Sequence, residues 1–358
     1  MRRGSAIVFA GRNRIELREI TIPDLLPDEM LVETELTALS QGTDRAMVAG
    51  TYRGVEDRWP FVYGYSRVGR VREVGSDVSG FAVGDRVFVG MAGTRLDPAD
   101  GLGEQGGTYT SYGVVHHSDV VALPEEVDSL AAAISAIAAI AYQGVAVANV
   151  RPNQRVLVAG LGAVGQFSAL FSRLRGAAVW GMDPIASRRE AAARLSGAQP
   201  IDPADDIAAR IEATAWGARP WPGRNSAPSA RYEQRRWAGA GGVADVVIDA
   251  TGRPDAFEAY IPLLVREGTL CLQGYYAQPL TLDFHVAHLK RLAIRTPGGL
   301  DQVDVETVLR LLPLADVTRL VGLTIPVAEV PTALPDLLFR PPSDVICAVV
   351  DWTAEQSA

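Results

Sequence analysis

Cysteine is nearly absent: the 358 residues hold two, Cys271 and Cys347, each inside an apolar run. Two such thiols read as buried side chains rather than a disulfide framework. They fit a reducing compartment and make the cytoplasm the expected location. Histidine is almost as scarce, with four. His116 and His117 are adjacent and fall between two strand-like runs, so they read as a turn. His285 and His288 stand three apart with no third ligand near them. Neither HxxxH nor HExxH spacing occurs, so no metal-binding motif is legible. Basic excess is missing too. The net charge is −8, which argues against nucleic acid or an anionic membrane as partner. No apolar run reaches the about 18 residues of a membrane-spanning helix. The alanine-rich stretch 130–148 comes nearest, but it carries Ser135, Tyr142 and Gln143 and reads as a buried helix. The opening residues 1–20 mix charges with a short strand and a turn, without the apolar centre of a secretory signal.

What is present is ample apolar material, 48% of the chain, enough for two domain cores, and two is also what the length suggests. The most informative stretch is 155–183. Arg155-Val-Leu-Val-Ala159 is an apolar, β-branched run that reads as a strand buried on both faces. Gly160-Leu-Gly162-Ala-Val164-Gly165 follows, then a helical run over 166–175, then a second buried strand at 178–182 that ends on Asp183. Gly160 permits a tight turn, Gly162 lets the backbone approach a pyrophosphate, and Gly165 lets the helix pack closely on the strand. The helix amino end adds free N–H groups and a positive dipole end. A strand, three spaced glycines, a helix and an acid about 20 residues on make up a dinucleotide-binding fingerprint. Asp183 suits the ribose hydroxyls of NAD and would repel a 2′-phosphate, whereas Arg188 and Arg189 soften that toward NADP. NAD is the expected cofactor and NADP the alternative.

Around this stretch the pattern has two regimes. Residues 6–10, 14–18 and 29–36 alternate with period two, and 68–75, 85–90 and 110–122 continue in short strands, the pattern of an antiparallel β domain. From Arg151 strands and helices alternate, which predicts a doubly wound parallel sheet. We expect helices over 187–196, 205–214, 254–266 and 303–312. Strands are expected at 199–202, 244–252 and 268–274, and an edge strand at 291–295. The strand at 244–252 ends in the turn Thr251-Gly252, and the strand at 268–274 leads into Gly274-Tyr275. These four residues, with Val164, complete the expected cofactor contacts. The tail 317–352 carries two strand-like runs around a helix and is expected to rejoin the first domain. The chain thus divides into a β-rich domain over 1–150, completed by 314–358, and a nucleotide domain over 151–313. Residues 216–242, rich in Gly, Pro and Arg with three tryptophans, read as an insertion, either a plain surface loop or a lid or oligomer contact.

Over nearly its whole length the chain resembles the medium-chain dehydrogenase/reductases of the alcohol dehydrogenase type. The resemblance rests on Val78-Ser-Gly-Phe-Ala-Val-Gly-Asp-Arg-Val-Phe88, Gly107-Thr-Tyr-Thr-Ser-Tyr112, Val120-Val-Ala-Leu-Pro124, Ala138-Ala-Ile-Ala-Tyr-Gln-Gly144 and the dinucleotide stretch. Ser40-Gln-Gly-Thr-Asp44, Gly64-Tyr-Ser-Arg-Val-Gly-Arg-Val71 and Gly274-Tyr-Tyr276 are similar to a branch that includes bacteriochlorophyllide dehydrogenases. The resemblance implies a GroES-like β-rich catalytic domain, a Rossmann domain, and an active site in the cleft between them. It implies hydride transfer with a nicotinamide cofactor, commonly in a homodimer or homotetramer.

The departures bear on mechanism. Where zinc-dependent relatives carry a cysteine, a Gly-His-Glu and a third ligand, this chain has Gln41, Gly64-Tyr65-Ser66 and the neighbourhood of Ala136. Residues 91–113 hold no cysteine, so the structural metal lobe is missing as well. No zinc is expected. Hydrogen-bond donors or an acid–base group must then do the work of the metal. Tyr65 is the leading candidate to exchange a proton with a substrate oxygen, unless it merely fills the vacated volume. Gln41 could bind the same oxygen. Thr43 matches the family's proton-relay hydroxyl, and Asp44 an acid that orients its neighbours. Lys290 is a further proton-donor candidate, its alternative being a solvated lysine. The first functional reading is a zinc-independent alcohol dehydrogenase or ketone reductase acting on a secondary alcohol, such as that of a sugar, cyclitol or tetrapyrrole-like molecule. The second is an enoyl or quinone reductase. The third is a nucleotide-binding protein without catalysis.

Overall fold

The computed structural model describes residues 2–55, 58–90, 93–214, 242–342 and 344–353. The insertion expected at 216–242 lies, but for Gly242, outside the described residues. The chain forms two compact units, Met1–Ala139 with Leu300–Ala358, and Ile140–Gly299. The division falls at Ile140 and Leu300, where the sequence pattern puts it at 151 and 314.

The first unit is built on the strand Glu29–Leu39. Three strands pair with it antiparallel: Arg67–Val74, Tyr112–His116 and Cys347–Asp351. Arg86–Val89 and Val120–Ala122 extend the sheet on one side, and Val321–Pro326, parallel to Cys347–Asp351, on the other. A smaller sheet holds Arg2–Gly11 between Arg14–Ile22 and Phe61–Val62. The tail therefore belongs to this unit. It delivers Trp352, fully buried, whose indole N–H donates to Thr37 Oγ1 at 3.0 Å. Phe9, Leu39, Val62, Tyr109, Leu334 and Trp352 share one apolar core. Burial of each such side chain contributes about 1.5–3 kcal/mol. His117–Asp119 forms a single 3₁₀ turn between two strands, as the adjacent histidines suggested.

The second unit is a six-stranded parallel sheet in the order Gln199–Ile201, Ala178–Met182, Arg155–Ala159, Ala244–Asp249, Leu264–Leu272 and Ala293–Arg295. The chain winds outward from Arg155–Ala159, then returns beside it with Ala244–Asp249. The carboxyl ends of these two strands flank the point where strand order reverses, which is where open α/β sheets take ligands. Both strands are buried almost throughout, which explains their continuous apolar sequences.

One expected element is wrong. The helix expected over 254–266 stops at Tyr260, and a strand expected from Gly268 begins at Leu264. Leu264 pairs with Ala244, the register then shifts, and Thr269 pairs with Val246. Glu267 takes a φ of +61° inside this irregularity. The strand is thus split by a kink of charged residues, which hides its apolar period. The helix expected over 205–214 shortens to Ile207–Glu212, its amino end capped by Asp206, which accepts from Ala209 N.

Candidate functional site

Two groups of residues carry the chemistry, one in each unit. In the second unit, strand Arg155–Ala159 ends at Gly160, whose φ of +82° suits only glycine without strain. A side chain on Gly165 would overlap the carbonyl oxygen of Gly160, so turn and helix pack this closely only with glycine there. Gly162 is the N-cap residue of the helix Ala163–Leu174 and gives it no side-chain cap. Its chain neighbours aside, no heavy atom of the described residues lies within 4 Å of where a Gly162 Cβ would stand. The amino end of a 12-residue helix is thus left open and uncapped, a positive terminus with unpaired N–H groups. Val164 is half-buried on the first turn, and its carbonyl accepts from Ser168 Oγ at 2.8 Å.

Asp183 is fixed against this loop. Its Oδ2 accepts from Leu161 N and its Oδ1 from Ile185 N, each at 2.8 Å. Arg188 Nη1 stands 4.0 Å from Oδ2, and the Arg188 Nε is buried without a partner. Arg189 is committed elsewhere, to the Asp183 carbonyl at 2.5 Å and the Asp202 carboxylate at 2.9 Å. Gln166 ties the two sides together by donating to Leu161 O and Arg188 O.

The neighbouring strand end is organised by Asp249, which is fully buried. Its Oδ1 accepts from Thr251 N at 2.9 Å and Thr251 Oγ1 at 2.6 Å, and its Oδ2 from the Tyr276 hydroxyl at 2.5 Å. Gly252 and Gly274 touch backbone to backbone, and a Cβ on Gly274 would overlap Gly252 N. Tyr275 follows, partly exposed. Gln273 donates to Ile140 O at 2.8 Å and accepts from Ser168 Oγ at 2.6 Å. Gly160, Gly162, Val164, Gly165, Asp183 and Arg188 thus lie around one strand end, and Thr251, Gly252, Gly274 and Tyr275 around the next. Asp249, Gln273 and Tyr276 escaped the sequence reading. The one signal for Asp249 was its place as an acid closing a buried strand, as Asp183 closes another.

In the first unit, strand Glu29–Leu39 runs into Ser40 and the helix Gln41–Val48. Ser40 Oγ lies 3.2 Å from Thr43 Oγ1, and the Tyr65 phenol is close enough to both side chains for each to lower its pKa. Three hydroxyls therefore meet at the start of this helix. Burial pushes the Tyr65 pKa up, with Ser40 and Thr43 pulling it down less strongly, so the phenol keeps its proton. Gln41 Nε2 donates to Ile346 O at 3.5 Å. Behind the hydroxyls lies Asp44, fully buried. Its Oδ2 is bonded to Ser40 N at 2.9 Å and to the Tyr109 hydroxyl at 2.7 Å. Burial pushes the Asp44 carboxyl up to about 7, against those two hydrogen bonds. Tyr63 stacks edge-on with Tyr65 and Tyr109, at 6.1 and 6.4 Å between ring centres. Gln41, Thr43, Asp44 and Tyr65 thus belong to one cluster, to which the structure adds Ser40 and Tyr109.

Lys290 does not fit the role expected of it. Its ammonium is buried in the second unit and donates to the carbonyls of Ile261, Pro262 and Leu264 at 3.1, 2.8 and 2.7 Å. It ties together the carbonyls that follow the short helix Pro254–Tyr260, where a cation also suits the dipole, and each of those N–H bonds is committed to backbone. A second unforeseen cation is Arg67, fully buried, whose Nη2 donates to Thr94 Oγ1, Thr108 O and Thr110 Oγ1. Burial without an acid partner lowers its pKa to about 9. Ser66, next to it, donates its hydroxyl to Ala133 O. Among the described residues, no three or more His, Cys, Asp or Glu side chains gather where a metal ion could be held. No helix among them is long and apolar enough to cross a membrane.

Comparison with known proteins matches both halves of this arrangement. A family model described as "Alcohol dehydrogenase GroES-like domain" matches residues 26–125, and one described as "Zinc-binding dehydrogenase" matches 163–313. The 2-desacetyl-2-hydroxyethyl bacteriochlorophyllide A dehydrogenase of Cereibacter sphaeroides is 26% identical over 98% of this chain and 99% of its own. The D-altritol 5-dehydrogenase of Agrobacterium fabrum is 26% identical over the same shares. Among solved structures, a zinc-binding dehydrogenase from Sinorhizobium meliloti bound to NADP superposes with a TM-score of 0.78 at 20% identity, over 98% of this chain and all of its own. The 2R,3R-butanediol dehydrogenase of Bacillus subtilis gives 0.77 at 18%, over 97% and 99%. A GroES-like unit around Glu29–Leu39 and a parallel sheet bearing the glycine loop at its switch point are the two halves of one enzyme architecture. The chain is a member of the medium-chain dehydrogenase/reductase superfamily and, with it, of the NAD(P)-dependent oxidoreductases.

Proposed function

We propose that the chain is a zinc-independent, NAD-dependent dehydrogenase that interconverts a secondary alcohol and its ketone. The observation that carries this reading is the hydroxyl cluster of Ser40, Thr43 and Tyr65 at the start of the helix Gln41–Val48. A zinc ion needs deprotonated sulfur, imidazole or carboxylate donors. The groups at the corresponding places are an amide bonded to Ile346 O, a phenol beside two hydroxyls, and a serine bonded to Ala133 O. This donor set does not fit zinc.

Reduction of a ketone adds a hydride to carbon and a proton to oxygen. The nicotinamide, when bound, supplies the hydride, and the residues of the glycine loop with Asp183 and Thr251 would hold it. The proton falls to this chain's side chains. Tyr65, kept neutral by burial, can donate to the carbonyl oxygen as negative charge develops there. Thr43 and Ser40 can replace that proton, and the same path runs backwards for oxidation. Asp183 favours NAD, since its carboxylate suits ribose hydroxyls better than a 2′-phosphate. Relatives named for D-altritol and for a hydroxyethyl bacteriochlorophyllide support a secondary alcohol as the substrate class.

The test combines metal analysis with a substrate screen. The purified chain is assayed for NAD reduction with polyols and other secondary alcohols, and for NAD(P)H oxidation with ketones and enones. The expected result is turnover of an alcohol–ketone pair without bound zinc, unaffected by chelator, and lowered by at least about 100-fold in Tyr65→Phe, as loss of a proton-transfer group predicts. One zinc per chain with chelator-sensitive activity would overturn the metal-free reading. Turnover of enones alone would move the chain to the enoyl or quinone reductases, and cofactor binding without any turnover to the non-catalytic reading.

A further inference from the structure

We propose that Asp44 is held as a neutral carboxylic acid and acts as the positioning residue for Tyr65, its proton shared with the Tyr109 hydroxyl. The proposal rests on the reading of Tyr65 as the proton donor.

The Tyr109 hydroxyl has two oxygens in reach, Asp44 Oδ2 at 2.7 Å and Ala38 O at 3.2 Å. A carbonyl oxygen only accepts, and a phenol has one proton to give. If Asp44 were ionised, Tyr109 could satisfy one of the two and would leave the other short. If Asp44 carries a proton, it donates to the phenol oxygen and Tyr109 donates onward to Ala38 O. Both contacts are then hydrogen bonds at once.

Burial points the same way. Asp44 is fully enclosed and its Oδ1 has no partner. A bare oxygen on a buried carboxylate costs far more than a bare carbonyl oxygen on a neutral acid. The titratable groups that sense it are Tyr109, Tyr63 and Tyr65, all phenols whose ionisation burial and Asp44 itself oppose. On its own helix Arg45 is exposed. The helix Val330–Phe339, packed on it, carries only Asp336, whose side chain is exposed. The strand residues leading into it, Thr37, Ala38 and Leu39, do not titrate. Among the described residues, no cation is bonded to Asp44 to hold it ionised.

The consequence reaches Tyr65 through Ser40. Asp44 Oδ2 receives the Ser40 backbone N–H, which fixes the residue whose hydroxyl meets Thr43 and Tyr65. Loss of the Asp44 proton breaks the Tyr109 bridge and charges the ground behind the donor. Proton transfer by Tyr65 should then fail at high pH while the fold persists.

The test has two arms. In the first, infrared difference spectra compare the chain with Asp44→Asn and Tyr109→Phe at mildly acidic pH, with no substrate needed. The parent should show the carbonyl stretch of a protonated carboxyl, which Asp44→Asn lacks and which moves to higher frequency in Tyr109→Phe. The band should fade as pH rises. In the second arm, turnover of the best alcohol is followed against pH. The parent should lose kcat along an alkaline limb that Asp44→Asn lacks, whatever the variant's rate at its optimum. Absence of the protonated band, or an alkaline limb that survives in Asp44→Asn, overturns the proposal. If no substrate is turned over, the functional reading has failed while the infrared arm still decides the state of Asp44.

Discussion

The neutral state of Asp44 has a thermodynamic consequence that needs no substrate. Its carboxyl sits at about 7 in the fold against an ordinary value of 3.8, and burial is the largest cause. A raised acid contributes its stability below the unfolded value and loses it as pH climbs to the folded one. Below about pH 4 both states are protonated. Between about 4 and 7 the unfolded chain releases its proton while the fold keeps it, so stability falls by up to about 1.4 kcal/mol per pH unit. Above about 7 both states are ionised and the loss levels off at about 4 kcal/mol. Asp44→Asn cannot titrate, and its amide can still donate to Tyr109. The difference in unfolding free energy between variant and parent should therefore move toward the variant by about 4 kcal/mol from acid to alkaline pH. Other carboxylates cancel in that difference. Equilibrium urea unfolding at a series of pH values measures it. A difference flat across the series, or one that moves toward the parent as pH rises, refutes the reasoning.

Three further outcomes test the remaining assignments. Gly165→Ala drives a methyl into the Gly160 carbonyl and should cost about 1–3 kcal/mol and abolish NADH binding, as read by fluorescence titration. Lys290→Met strips three carbonyls of their donor; it should lower stability by about 1–3 kcal/mol and leave kcat of the folded enzyme unchanged, whereas a large loss of kcat would restore Lys290 to the chemistry. Asp183→Asn leaves one of the Leu161 and Ile185 N–H groups without its acceptor and removes the charge opposing a 2′-phosphate. It should raise kcat/KM for NADP relative to NAD by about 10-fold or more, on the order of one charged contact.

What the sequence disclosed, and what it hid, follows from where each signal is stored. The strands Arg155–Ala159 and Ala178–Met182 were legible because a strand buried on both faces must be continuously apolar. The glycine loop was legible because steric exclusion at Gly160 and Gly165 acts on residues adjacent in sequence. The strand Leu264–Leu272 was not, because Arg266 and Glu267 interrupt its apolar run at the kink. Lys290 looked like an ordinary basic residue after a loop. Its partners lie 26 to 29 residues upstream, and nothing local marks that distance. The Asp44–Tyr109 bond spans 65 residues, and the Asp249–Tyr276 bond 27. Such pairings are written in the topology rather than in any period.

The composition of the hydroxyl cluster also carries an argument about charge. A metal-free site must stabilise the negative charge that gathers on a substrate oxygen with hydrogen bonds alone. A carboxylate behind the donor would oppose that charge in a medium of low dielectric, where repulsion at short range is strong. Asp44 is an acid bonded directly to Ser40 N behind these hydroxyls, and its neighbours are phenols kept neutral by burial. On the reading of Tyr65 as donor, an uncharged Asp44 is the arrangement that chemistry requires. It anchors the Ser40 backbone through a hydrogen bond without adding a negative charge. A site that relied on a cation would gain from an ionised acid nearby, which would hold the cation's ligands. The protonation state of this one buried side chain therefore separates the two designs.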